Sequence, residues 1–429
     1  MNAQSQPLRP ERPAQVLRRR VFYIPGYDPF HPRRYRELYR TESKKQAKLA
    51  GYEIMVMPNK GARYGWKVES AQDGAVVQAQ VDVLVWSDIV QSSMKATIPG
   101  TYWQLVRTAW TYVSSGALRR LTWLRKGPIL AALYPVGMLL LQLALALLAG
   151  WIVGTLVAAI PTAIMGLFGR GVWGWLSAIF FWAPFVPVAV LVLRWFKAQD
   201  GRFFAYYLMH DYAFTAKANG ANPPELEERM AEFVADVGEA LQGDWDEVLV
   251  VGHSSGAHIA VSVVADLVRA GAVRPGGPTL SLLTLGQVIP MISFLPKAAR
   301  LRADLALLSD TDALAWVDVT APGDGCAFAL CDPVAVTGIA PKGRRWPLIL
   351  SCAFTQYLQP KTLDAMRFRF FKLHFQYLCA FDRLRGAPGE YDYFRITAGP
   401  LTLAERFEGR APSPSRIDVP ASRYTSVAA

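Results

Sequence analysis

Ser254 sits in Gly252-His253-Ser254-Ser255-Gly256, a spacing that suits a nucleophile. An apolar, β-branched run at 248–251 stops at Gly252, and a helical pattern at 258–268 follows at once. A serine on so tight a strand-to-helix turn occupies strained backbone. Side chains at the flanking positions would strike the adjacent strand or helix, which accounts for Gly252 and Gly256. The turn pushes the hydroxyl out of the end of the sheet. It also aims the Ser255 N–H, at the helix N-terminus, toward any oxyanion that forms there. The competing reading is an inert serine in a glycine-rich turn.

In that strand–turn–helix setting the motif resembles the nucleophile elbow of the α/β-hydrolase superfamily, in particular the lipase- and esterase-like serine hydrolases. The resemblance covers residues 21–60 and 222–400. It implies an α/β fold with a doubly wound, mostly parallel sheet, acyl transfer to water through a covalent acyl-serine, and no cofactor. It also implies a chain order of serine, then Asp or Glu, then His. The chain has five histidines. His31 and His210 precede the serine, and His253 lies inside the elbow. His258, four residues after Ser254, points away from the hydroxyl into packing or solvent. His374 alone lies well downstream, among Phe370, Phe371, Phe375 and Tyr377, and is the expected base.

For the acid, residues 315–320 read as a buried strand and 321–325 as the loop beyond its end, where parallel sheets place their chemistry. Asp324 is therefore the expected acid. Asp332 is the alternative, because Asp332-Pro333-Val334 resembles a loop common in lipase-like hydrolases. Asp318 falls within the strand and is expected to fix a neighbouring loop. The second oxyanion donor is expected from the loop after strand 21–24: the N–H of Tyr27, with Asp28 as its rival. Pro25 stands where the superfamily carries the His of its His-Gly loop, a departure from the pattern. An antiparallel pair expected at 66–86, around Asp73-Gly74, follows the oxyanion strand instead of preceding it. That leaves the edge of the sheet open.

A second chemistry is set by hydrophobic length. Residues 129–160 and 172–196 are apolar almost throughout, each beyond the roughly 20 residues that cross about 30 Å of hydrocarbon. Pro135, Pro184 and Pro187 are tolerated in membrane helices. Arg119, Arg120, Arg125 and Lys126 precede the first span, Arg194, Lys197 and Arg202 close the second, and Arg170 alone lies between. The positive-inside rule then turns both termini and the serine toward the cytoplasm, at an inner or plasma membrane. Ala146, Gly150, Gly154 and Ala158 recur every fourth residue. The stripe is expected to admit another helix, either the second span through Gly174 and Ala178 or that of a second copy in a homo-oligomer.

The chain has 429 residues and a net charge of +12. Its basic pairs form no nucleic-acid motif, so an anionic leaflet is the expected counterpart. No apolar core precedes Val21, and no cleaved secretory signal is expected. Cys326, Cys331, Cys352 and Cys379 lack metal-ligand spacing and read as reduced thiols without a metal. The expected organisation is a disordered basic arm at 1–20, the first part of the catalytic domain at 21–127, and a membrane hairpin at 128–197. The second part of the domain follows at 198–408, then a disordered tail at 409–429. An amphipathic helix rich in Trp and Tyr is expected from Thr101 to Lys126, leading to the hairpin; it lies in the membrane interface or packs on the domain. The expected partners are the bilayer and an acyl-chain substrate, with no nucleic acid. The expected function is a membrane-anchored serine esterase or lipase-like hydrolase. The alternative is a catalytically silent scaffold or binding module of the same fold. Two spans without a charge at mid-membrane argue against a transporter.

Overall fold

Among the described residues, apolar runs alternating with amphipathic segments give eight strands in one sheet. The computed structural model describes residues 15–59, 61, 63–367, 369–386 and 390–428. The strands are β1 (Arg18–Ile24), β2 (Glu53–Pro58), β3 (Gly65–Gln72), β4 (Ala75–Val83), β5 (Glu247–His253), β6 (Thr279–Leu285), β7 (Leu314–Thr320) and β8 (Leu348–Ser351). Their spatial order is β2-β3-β4-β1-β5-β6-β7-β8. From β4 to β8 every pairing is parallel, and β3 alone runs antiparallel to both its neighbours. The chain is thus α/β with a mixed, mostly parallel sheet. β5 and β7 are buried along their whole length, which is why their sequences show no alternation. Asp73 and Gly74 turn the β3–β4 hairpin with φ of 50° and 81°, the twist that a two-residue hairpin needs. The hairpin fills one edge half of the sheet, next to β1.

The expected basic arm is shorter than its composition suggests. Residues 1–14 lie outside the described residues, but Arg18, Arg19 and Arg20 belong to β1. Arg19 is fully buried, with Nε donating to Glu247 Oε2 at 2.6 Å and the other nitrogens donating to the carbonyls of Gly399 and Leu401. Glu247 Oε1 in turn accepts from Ser281 Oγ at 2.6 Å and the Leu403 N–H at 2.8 Å. A charge that sequence reading assigns to solvent is instead paired at the start of the central strands. Glu247→Ala leaves this guanidinium buried and uncompensated. The expected cost is about 3–5 kcal/mol, seen as a lower denaturant midpoint for the full chain; an unchanged midpoint would show that the pair holds nothing.

The tail from Gly409 also departs from expectation. Ser413 donates to the Ile349 carbonyl at 2.8 Å, Ile417 to Leu330 at 2.7 Å and Ala421 to Val336 at 2.8 Å; Asp332 donates back to Ile417 at 2.9 Å. Backbone bonds order it, and these leave no trace in composition.

The chain divides into two units. One holds the sheet and runs to Ser92, resumes over Tyr112–Ile129 and continues from Ala218 onward. The other comprises Ser93–Thr111 and Leu130–Lys217. Residues 93–111 and 198–217 therefore group with the apolar helices and not with the sheet, because Leu105, Leu139, Ala205, Tyr206, Met209 and Ala213 form one buried cluster. Helices Lys126–Leu167 and Gly174–Ala198, with 42 and 25 residues, are long and apolar enough to cross a membrane. Within this unit they face each other through the small-residue stripe. A side chain at Gly150 would meet the Phe185 carbonyl at 2.8 Å, and one at Gly154 the Phe181 carbonyl at 2.8 Å. The partner positions are these two phenylalanines and not Gly174 and Ala178, and the stripe's glycines are covered by the same chain.

Candidate active site

Segments that follow β5, β7 and β8 supply Ser254, Asp324 and His374, and the loop after β1 supplies Tyr27 and Asp28. Ser254 follows β5 directly, and it has φ of 58°. That left-handed backbone costs a residue with a Cβ on the order of 1–3 kcal/mol, a strain found where geometry serves function. Its N–H donates to the Leu285 carbonyl of β6 at 2.9 Å. The helix Gly256–Arg269 leaves immediately. A Cβ at Gly252 would lie 2.7 Å from Ala257 Cα, and one at Gly256 would collide with the carbonyl oxygens of Ile24 and Pro25. Ser254 itself is partly exposed.

Asp324 lies in the loop after β7, and its Oδ2 is 2.7 Å from His374 Nδ1. Both side chains are buried. The same Oδ2 accepts from the Tyr377 hydroxyl at 3.0 Å, and Oδ1 accepts from the Cys326 N–H at 2.9 Å. Burial alone would raise this carboxyl; the imidazole beside it and these hydrogen bonds outweigh burial and hold it below the usual carboxylate value. With Nδ1 held by the carboxylate, the other nitrogen, Nε2, is the one left to act. It is buried and has no hydrogen-bond partner among the described residues, so Ser254 and His374 are not bonded to each other in this state.

Asp332 has other work. Its Oδ1 accepts from the N–H groups of Val334 and Ala335, capping the short helix Pro333–Thr337, and its Oδ2 pairs with Arg344 at 2.7 Å. Asp318 does not fix a loop: it stays in β7, where Oδ1 accepts from Thr284 Oγ1 of β6 at 2.6 Å. Burial pushes its carboxyl up to about 8, against the hydrogen bond from Thr284 and aided by the charge of Asp332. The folded chain therefore keeps this proton far above the pH at which the unfolded chain, with an ordinary carboxyl near 3.8, releases it. Its stabilising contribution is complete below that lower value. It falls by up to about 1.4 kcal/mol per pH unit as pH rises toward 8. Asp318→Asn, neutral throughout, should flatten the loss of stability between pH 5 and 8. Identical slopes for the variant and the parent chain would refute the assignment.

The expected oxyanion donors fare differently. The Tyr27 N–H does not face the site openly: it donates to Ser255 Oγ at 2.7 Å. This bond ties the loop after β1 to the elbow, and Gly26 fits beneath it because a Cβ there would come within 3.0 Å of Ser254 Cβ. The carboxylate of Asp28 accepts from the Phe30 N–H and the Tyr35 hydroxyl and pairs with Arg34, so its side chain shapes the loop. The Ser255 N–H stands at the N-terminus of the elbow helix, as the turn requires.

Three residues that sequence reading passed over complete the site. Tyr377 accepts from the Ala321 N–H at 2.9 Å while donating to Asp324, and so braces the loop that carries Asp324. His253, buried within the elbow, donates Nε2–H to the His374 carbonyl at 3.1 Å with the two rings 4.8 Å apart. Burial first, then the neighbouring His374, lowers its pKa to about 3, so it adds no charge beside His374. Gly286 has φ of 53°, and a Cβ there would meet the Tyr377 ring at 2.7 Å and His374 Cε1 at 3.1 Å. It is the gap through which His374 reaches the sheet end. His258 is buried on the elbow helix, and burial lowers its pKa to about 4. The ligand atoms of Asp324, Cys326 and His374 lie within 4.8 Å of one another. The direct bond between His374 and Asp324 suits this set to proton transfer more than to holding a metal. No protein-family model, curated protein or solved structure matches the chain.

Proposed function

We propose that this protein is a membrane-anchored serine hydrolase of the α/β-hydrolase type, cleaving an acyl ester through an acyl-serine intermediate. The observation that carries the reading is Ser254, strained at φ 58° in a turn that tolerates only glycine at 252 and 256, at the same sheet end as a buried His374–Asp324 pair. The strand order adds support. The antiparallel strand next to the edge and the parallel run from β4 to β8 agree with the superfamily's doubly wound sheet, although the oxyanion strand comes first in this chain.

In the proposed reaction Ser254 Oγ attacks the substrate's acyl carbon while His374 Nε2 takes the hydroxyl proton. Asp324 holds the imidazole by Nδ1 and stabilises the imidazolium. The Ser255 N–H receives the charge that forms on the carbonyl oxygen. The alcohol leaves with the proton from His374, and water then releases the acid by the same steps in reverse. Catalytic hydrogen bonds are often open before substrate binds, which accommodates the unpartnered Nε2. The two long apolar helices would hold the serine near a bilayer, which favours a lipid or another long acyl chain. With the cationic flanks on one side of the hairpin, both termini and the site face the cytoplasm.

The Tyr27 N–H being taken by Ser255 favours a second reading, a silent scaffold of this fold. The deciding experiment treats the full chain in lipid nanodiscs with a fluorophosphonate, then with acyl esters of increasing chain length. The hydrolase reading expects covalent labelling at Ser254 and hydrolysis that rises with acyl length. A folded protein that neither labels nor hydrolyses any ester is the scaffold.

A further inference from the structure

The helix Ile98–Ser114 presents an inverted pattern. Thr101, Leu105 and Thr108 are buried, whereas Trp103, Val106 and Trp110 are 62%, 54% and 72% exposed. The spacing of three and then four residues sets those three on one face. Two large indoles on a single open face form a patch that monomeric soluble surfaces seldom carry.

The surroundings within the same unit indicate what covers it. The Tyr102 hydroxyl donates to the Leu139 carbonyl at 2.8 Å, and Lys197 Nζ to the Ala96 carbonyl at 2.9 Å. Continuing the antiparallel contacts of Gly150 with Phe185 and Gly154 with Phe181 brings Leu139 level with Phe196. Both bonds therefore fasten this helix at one level of the hairpin, its cationic base. Arg194 and Arg202 are exposed near that level, Trp195 is 55% exposed beside them, and Arg107 projects from the open side of the helix itself. Indoles and exposed Arg at the end of an apolar span are what the headgroup region of an anionic bilayer takes up.

We propose that the helix Ile98–Ser114 is a lipid-contacting helix, seating Trp103, Val106 and Trp110 at the boundary between headgroups and acyl chains beside the hairpin base. This rests on the membrane-spanning reading of the hairpin. An interfacial helix of this kind fixes the unit's height in the bilayer, which the hairpin alone, free to slide and tilt, does not.

The test places a cysteine-linked NBD fluorophore at one of three exposed sites of the full chain, by Val106→Cys, Leu156→Cys or Glu232→Cys. Each is reconstituted in phosphatidylcholine–phosphatidylglycerol nanodiscs with or without a lipid carrying a nitroxide high in its acyl chain. Labelling of the unsubstituted chain supplies the background from native cysteines. The probe at 106 is expected to lose about half or more of its emission to the nitroxide, as a site at the acyl boundary should, while the probe at 232 keeps its own. If 106 behaves like 232 while 156 is quenched, the hairpin spans and the helix lies elsewhere, which overturns the proposal alone. Emission at 106 that is blue-shifted yet unquenched identifies a protein partner or second copy as the occupant and also overturns it. Absence of quenching at 156 overturns the membrane reading and this proposal together.

Discussion

Ser254→Ala is expected to lower kcat for acyl-ester hydrolysis by roughly four to six orders of magnitude and to abolish fluorophosphonate labelling. KM should change little, because the hydroxyl forms and breaks bonds without contributing to ground-state binding. The fold should survive: alanine keeps the Cβ that the turn at φ 58° already accommodates, and the bond from the residue's N–H to Leu285 is backbone. His374→Ala should cost nearly as much, and the double variant little more than either alone, because a nucleophile without its base is already inactive. Residual labelling of Ser254→Ala at another residue would place the nucleophile elsewhere. Full hydrolysis by that variant would end the serine mechanism.

The second large effect separates the two aspartates. Asp324→Asn keeps the shape of the side chain but removes the charged acceptor that holds His374 Nδ1. A fall of about 10³–10⁴ in kcat is expected, with a folded chain and KM near that of the parent. Asp332→Asn, by contrast, removes charge from a helix cap and an ion pair with Arg344. Asn caps a helix about as well as Asp, so the expected loss is that of the ion pair, about 1 kcal/mol or less of stability, with kcat within a few-fold of the parent. If the effects were exchanged, the acid would be Asp332, and the bond between His374 and Asp324 would have to break during turnover.

The elbow is legible in the sequence because its constraints are local: strand, glycine, serine, glycine and helix follow one another within twenty residues. The pairing of His374 with Asp324 spans fifty residues, and only the expected order of residues on a known kind of fold made it findable. Tyr377, His253 and Gly286 stayed hidden because each acts through long-range contacts that no periodicity records. Gly286 carries a usable signal all the same, a glycine directly after an apolar run, as at Gly252. The bond from the Tyr27 N–H to the Ser255 hydroxyl shows a different limit. Sequence placed both residues in the oxyanion region but not the direction of a hydroxyl between them. Composition misled at both ends of the described chain: three arginines suggested a solvated arm where Arg19 lies buried, and Pro and Ser suggested disorder where backbone hydrogen bonds hold the tail.

The register of the sheet also has a temporal side. β1 pairs with β5 from Arg19 opposite Glu247 to Ile24 opposite Gly252, yet all the apolar helices lie between them in the chain. A ribosome making this protein releases β1 through β4 first, then both long helices, and only afterwards the strand that carries Ser254. The central pairing cannot close until that last strand emerges, and contacts of such sequence separation form slowly. The nascent chain thus has an incomplete sheet while both long apolar helices are already made. The order of synthesis puts off the meeting of Ser254 with Asp324 and His374 until both long apolar helices have been made.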